Sequence, residues 1–136
     1  LESILILVDS NIWIDLIQDD PVWFDWSLDQ LQRARAARRA VINPVIYAEL
    51  APTYDTAEEL ADFVRTAKVS IQPISPDTAY AAGRAFLTYR TRKGGKTGVL
   101  PDFFIGAQAQ TEGWKILTRD GARYKTYFPK VQLICP

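Results

Sequence analysis

Apolar residues along this chain fall into short dense runs separated by segments with helical spacing. The densest run, Ile4-Leu5-Ile6-Leu7-Val8, is aliphatic throughout and stops abruptly at Asp9-Ser10-Asn11. A run this short, closed by a turn signal, predicts a strand buried on both faces. Asp9 then sits at the carboxyl end of that strand, where open α/β sheets bind their ligands. Ile12, Trp13, Leu16 and Ile17 recur at helical spacing behind Ser10 or Asn11 as cap. Trp23, Phe24 and Trp26 form an aromatic cluster in a loop after Asp19-Asp20-Pro21, and Ser27 is read as the cap of a helix through Leu28, Leu31 and Ala34 toward Arg39. Ala40-Val41-Ile42-Asn43 reads as a second strand, and Pro44 at a first helical position starts a helix containing Glu49. Thr56 with Glu59 makes a capping box for a helix through Leu60, Phe63 and Val64.

The same alternation continues to the end. Val69 to Pro73 reads as a third strand, and Ser75-Pro76 opens a long helix ending in a basic, glycine-rich loop. Pro101 starts a helix stopped at Gly113, and Trp114 to Thr118 reads as a fourth strand with its turn at Arg119-Asp120-Gly121. Tyr124, Tyr127 and Phe128 read as a short aromatic segment before a last strand, Val131 to Ile134. Strands alternating with helices predict an α/β domain with a parallel sheet and right-handed crossovers. All 136 residues are expected to form a single domain.

Composition narrows the chemistry more than the fold. With 16 basic and 16 acidic side chains the net charge is zero, which excludes a globally basic nucleic-acid binder but not a locally basic groove. No apolar run is long enough to span a membrane, and no signal-peptide pattern opens the sequence. The single cysteine, Cys135, excludes an internal disulfide framework and fits a reducing cytoplasm. There is no histidine. Imidazole zinc sites, Ser-His-Asp triads and histidine acid–base pairs are therefore all excluded, as are thiolate metal clusters.

Most of the acids have ordinary places. Asp29, Glu58, Glu59 and Asp62 fall on polar helix faces, and Asp55 and Asp77 near helix starts, where the dipole favours them. Four stand apart. Asp9 and Asp120 lie at or just past the ends of strands, while Glu49 and Asp102 lie on helices among apolar neighbours. Acids in such surroundings are costly to bury unless something neutralises them. If the first and fourth strands are neighbours, Asp9 and Asp120 meet at the switch point of the sheet. Carboxylates that close must take up protons or share cations. Oxygen-only ligation points to Mg²⁺ or Mn²⁺, ions that assist hydrolysis at a phosphodiester without a protein base.

Four blocks carry a family resemblance: Val8-Asp9-Ser10-Asn11-Ile12-Trp13-Ile14-Asp15-Leu16, Glu49, Leu100-Pro101-Asp102-Phe103-Phe104-Ile105-Gly106-Ala107, and Leu117-Thr118-Arg119-Asp120 followed by Tyr127-Phe128. In that order they resemble the PIN-domain ribonucleases, in particular the VapC-like toxins of bacterial and archaeal toxin–antitoxin pairs. The resemblance implies a Rossmann-like, three-layer sandwich with a central parallel sheet of strand order 3-2-1-4-5 and helices on both faces. It implies that Asp9, Glu49, Asp102 and Asp120 hold Mg²⁺ or Mn²⁺ and cut single-stranded RNA, with Ser10 and Thr118 as orienting hydroxyls and Asn11 as a further polar contact. It implies a cognate antitoxin as protein partner and allows a homodimer. One departure is Gln108, where many relatives carry histidine; two helical turns from Asp102, it is expected to leave the ions unaffected.

Two further readings of the acids are set against this one. A haloacid-dehalogenase-type phosphatase would use Asp9 as nucleophile but needs a second acid where Asn11 stands. A non-catalytic binding module would use the acids only to cap turns. Gly95-Lys96-Thr97 is not a phosphate loop, because Arg90 stands where a glycine is required and Pro101 delays the next helix. Arg92, Lys93 and Lys96 in that region, with Arg119 and Arg123 near Asp120, are the candidate RNA phosphate contacts.

Overall fold

The computed structural model describes residues 4–92 and 98–136. Lys93 and Lys96 lie outside them. The elements are β1 (Ile6–Val8), α1 (Ser10–Ile17), α2 (Phe24–Ala36), β2 (Ala40–Ile42), α3 (Pro44–Leu50), a 3₁₀ turn (Ala51–Thr53), α4 (Ala57–Ala67), β3 (Ser70–Ile71), α5 (Pro76–Thr91), α6 (Leu100–Glu112), β4 (Lys115–Leu117), α7 (Ala122–Tyr127) and β5 (Leu133–Ile134). The strands form one sheet in the order β3-β2-β1-β4-β5, with every pairing parallel. This is the order that the sequence resemblance implied. Among the described residues, no helix is long and apolar enough to cross a membrane.

The central strand β1 and its neighbour β2 are buried along their whole length, so helices cover the sheet on both faces. Leu7, Val8, Ile42, Ile116 and Leu117 have at most 0% exposure and form the middle of the core. Local chemistry sets several helix starts as the sequence indicates. Asn43 accepts from the amide of Ile46 ahead of Pro44, Thr56 from that of Glu59, and Ser75 from that of Thr78. Gly113, at φ 73°, ends α6 in the left-handed conformation that glycine adopts without strain.

Gly106 is required for a different reason. A Cβ there would lie 2.3 Å from the ring of Phe128, so only glycine lets α6 pack on the end of α7. Two blocks of the sequence pattern thus touch, and the contact fixes α7 against the helix that carries Asp102.

Two local expectations are corrected. Ser27 does not cap α2: the helix begins at Phe24, behind a turn in which Asp20 accepts from the amides of Val22 and Trp23, and Ser27 is buried inside it. Trp23, Phe24 and Trp26 therefore belong to the start of that helix rather than to a loop, all three half-buried. The segment holding Tyr124 and Tyr127 is the helix α7.

Candidate active site

Because β1 and β4 are hydrogen-bonded neighbours, their carboxyl ends bring Asp9 and the Thr118-Arg119-Asp120 turn together. Asp9 itself, not Ser10 or Asn11, caps α1: its Oδ1 accepts from the Ser10 amide at 2.8 Å. Its Oδ2 accepts from the hydroxyls of Thr118 and Tyr124, each at 2.9 Å. The Thr118 oxygen accepts in turn from Asn11 Nδ2 at 3.1 Å and from the Asp120 amide at 3.2 Å. Asn11 Oδ1 accepts from the Arg119 amide at 3.2 Å. One donated and two accepted bonds use the Thr118 hydroxyl fully. Glu49, near the end of α3, accepts from Ser10 Oγ at 3.1 Å, and Asp102, in the first turn of α6, accepts from Arg123 Nη1.

The four acids feel one another. Burial, first, raises the Asp9 carboxyl above the usual range, and the Asp102 charge adds to it against the three donors. Glu49 is pushed up to about 7 by burial and then by Asp9 and Asp102. Asp102 is raised by burial and by Asp120, opposed by Arg123. Tyr124, held by burial well above its ordinary value, stays protonated and remains a donor to Asp9. Among the described residues, no three acidic or cysteine side chains are drawn together as a preformed ion-binding set.

The family model for the PIN domain matches residues 6–129. The chain is a PIN domain. PIN domains are generally nucleases and generally use divalent metal ions. Solved PIN structures with the same fold include VapBC2 from Rickettsia felis bound to a promoter DNA fragment, with TM-score 0.69 and 16% identity over 97% of this chain and 98% of that one. FitAcB from Neisseria gonorrhoeae gives 0.68 and 16% over 96% of each. A toxin–antitoxin complex from Klebsiella pneumoniae gives 0.60 and 22% over 92% of this chain and 93% of the other. None of the curated proteins matches the sequence.

The donor set of this PIN domain suits a hard divalent cation. It offers carboxylate and hydroxyl oxygens only, and three of its acids carry proton affinities raised first by burial and then by one another's charge. A cation relieves that crowding where a proton otherwise would. Gln108 is not part of it: buried in α6, it accepts from Asn43 Nδ2 at 2.9 Å and donates to the Pro73 carbonyl at 3.0 Å. A cleft of about 700 Å³ lined by Arg35, Arg38 and Lys68 opens at the amino ends of the strands, away from the acids.

Sequence reasoning missed two residues around the PIN site, Tyr124 and Asp15. Tyr124 reaches Asp9 from α7. Asp15, only 1% exposed, is gripped by Arg119 through Nε and Nη2, both at 2.8 Å, and accepts from Ser27 Oγ at 2.7 Å. The available signal was Asp15 itself, an acid between Ile14 and Leu16 in an apolar helix, four residues after Asn11. Arg119 also lies 5.6 Å from the Trp23 ring, leaving only its Nη1 edge for any outside ligand. Arg123 meets Asp102 directly, and Arg92 lies over Tyr127 at 5.8 Å.

The crowding has a measurable sign. Glu49 binds its proton more tightly in the folded PIN domain than in the unfolded chain, so its contribution to stability is fully present below pH 4.5 and is lost as the pH rises through about 7. Asp9 and Asp102 shift the same way. With no histidine in the chain, Glu49 is the side chain expected to titrate near neutrality. In chelator the melting temperature should fall by roughly 3 °C between pH 6 and pH 8. Mn²⁺ at pH 8 should restore it, and Glu49→Gln should flatten the profile. A melting temperature that rises over that interval in chelator would refute the upward shift of Glu49.

Proposed function

We propose that the chain is a Mg²⁺- or Mn²⁺-dependent endoribonuclease and the toxin of a toxin–antitoxin pair. The observation that carries the reading is the convergence of Asp9, Glu49, Asp102 and Asp120, from separate elements of a PIN fold, into one electrostatically coupled group. In this reading the four acids hold the ion. Thr118 and Tyr124 fix the rotamer of Asp9, Ser10 steadies Glu49, and Asn11 locks the Thr118 hydroxyl in its donating direction. When bound, a divalent ion supplies positive charge to the phosphate oxygens and lowers the pKa of water for attack. Arg92 and Arg123 line the rim and, with the free edge of Arg119 and with Lys93 and Lys96, meet the RNA backbone. Hydrolysis of this kind leaves 3′-hydroxyl and 5′-phosphate ends.

The antitoxin is assigned a groove of about 460 Å³ between α1, α2 and α4, lined by Trp13, Leu16, Ile17, Leu28, Tyr54 and Phe63. Its apolar lining suits an aliphatic or aromatic segment of a partner. The aromatic cluster at Trp23, Phe24 and Trp26 is the other apolar surface near the first helices, but the Trp23 ring is engaged by Arg119 and by Trp26 at 6.2 Å. With a single cysteine the chain suits a reducing cytoplasm.

The deciding experiment is cleavage of a total RNA pool by wild type in Mn²⁺, by Asp102→Asn, and by wild type in EDTA. Cleavage only by wild type in Mn²⁺, with 5′-phosphate ends, is the expected result. If wild type neither cuts nor binds Mn²⁺, the chain is a non-catalytic PIN module.

A further inference from the structure

Arg123 stands on α7, three residues beyond Asp120, and donates from Nη1 to Oδ2 of Asp102 on α6. The two side chains are 28% and 30% exposed. An ion pair at that exposure is worth little and opens readily. The guanidinium also lies 6.0 Å from the centre of the Tyr89 ring. Tyr89 in turn meets Tyr127 edge to face at 5.9 Å, and Arg92 lies over Tyr127. The two arginines thus each lie against one ring of an aromatic pair, and the contact of Arg123 with Tyr89 is separate from its bond to Asp102.

The guanidinium places its positive charge on Oδ2 of Asp102, where a divalent cation held by the same carboxylate would meet it at like-charge range. The two positive partners therefore disfavour one another on Asp102. Arg119, the other arginine beside Asp120, is held on Asp15 through two nitrogens and leaves Asp102 to Arg123.

We infer that Arg123 and a divalent cation alternate on Oδ2 of Asp102, and that the cation's arrival frees Arg123, still resting on Tyr89, to grip an RNA phosphate. The inference rests on the reading of the four acids as a divalent-ion site for RNA and adds a coupling between the two ligands. Cation binding is weakened by the internal competitor. RNA binding is strengthened by the cation beyond the cation's own charge, because a guanidinium is released with it.

The test is calorimetric titration of Mn²⁺, without RNA, into wild type, Arg123→Gln and Arg92→Gln, each checked by thermal melt. Both substitutions remove one positive charge from the same aromatic pair, but only Arg123 touches Asp102. Arg123→Gln should tighten Mn²⁺ about fivefold, the scale of a half-exposed ion pair, and Arg92→Gln by less than about twofold. A second readout is fluorescence anisotropy with a phosphorothioate single-stranded RNA. The gain in its affinity on adding Mn²⁺ should be several-fold smaller for Arg123→Gln than for wild type. Equal tightening by the two substitutions, weaker Mn²⁺ binding in Arg123→Gln, or an equal gain in RNA affinity overturns the alternation while leaving the nuclease reading intact. Absence of Mn²⁺ binding by wild type overturns both.

Discussion

Asp9→Asn is expected to reduce RNA cleavage on the order of 10³-fold, the scale of losing a group that stabilises charge in the transition state. The fold should survive. Asp9 is 5% exposed, and its carboxylate is already raised by burial, so the ionised side chain opposes folding at neutral pH. Asparagine has the same shape. Its Oδ1 keeps the bond from the Ser10 amide, and the Tyr124 hydroxyl can turn to accept from its Nδ2, while the Thr118 hydroxyl, whose lone pairs are both taken, donates to the Asp120 carbonyl instead. In chelator at pH 8 the variant should melt at or a few degrees above wild type, while its Mn²⁺ binding falls. Circular dichroism melts and the RNA assay check the two halves separately. A variant that melts well below wild type would make Asp9 a helix cap and nothing more.

The largest loss of stability is expected from Arg119→Met. Its guanidinium is the counterion of Asp15, which is 1% exposed and otherwise holds only the Ser27 hydroxyl. Removing one partner of such a pair leaves a buried carboxylate without compensation, at a cost of about 3–5 kcal/mol. In a chain of this length that lowers the melting temperature by roughly 10 °C. Replacing both partners, Asp15→Leu with Arg119→Met, should lose less than Arg119→Met alone, since no charge is then stranded. Urea denaturation of the two singles and the double measures the coupling. Near-additive losses would show that the pair contributes nothing of its own. Cleavage should suffer too, because the Arg119 amide holds Asn11 and the next residue is Asp120.

How far the sequence was legible depended on the range of the interaction. The run from Ile4 to Val8 yields the strand Ile6–Val8 because nothing polar interrupts it, and its end at Asp9 is a local event. Asn43, Thr56 and Ser75 cap their helices through bonds three residues long, so they too could be read. Ser27 carried the same local signal and was misread. Its hydroxyl is drawn to Asp15, 12 residues earlier, while the turn at Asp20 starts the helix sooner. Tyr124 lies 115 residues from the carboxylate it serves. No pattern of spacing marks such a residue; only the packing of α7 on Gly106 brings it there. The four acids could be singled out because each is chemically out of place in its own surroundings. Arg119 and Arg123, read alike from their nearness to Asp120, take different partners for the same long-range reason.

The central place of β1 in the sheet carries a consequence for the chain as it leaves the ribosome. Thr118, which steadies Asp9, lies 109 residues after it, and the strand that brings it there pairs with the strand synthesised first. A nascent chain that ends before β4 exposes one long edge of β1 and possesses no assembled site. Contacts so distant in sequence also close slowly. Under the proposed ribonuclease reading, no RNA can be cut until the chain through β4 and Asp120 has emerged.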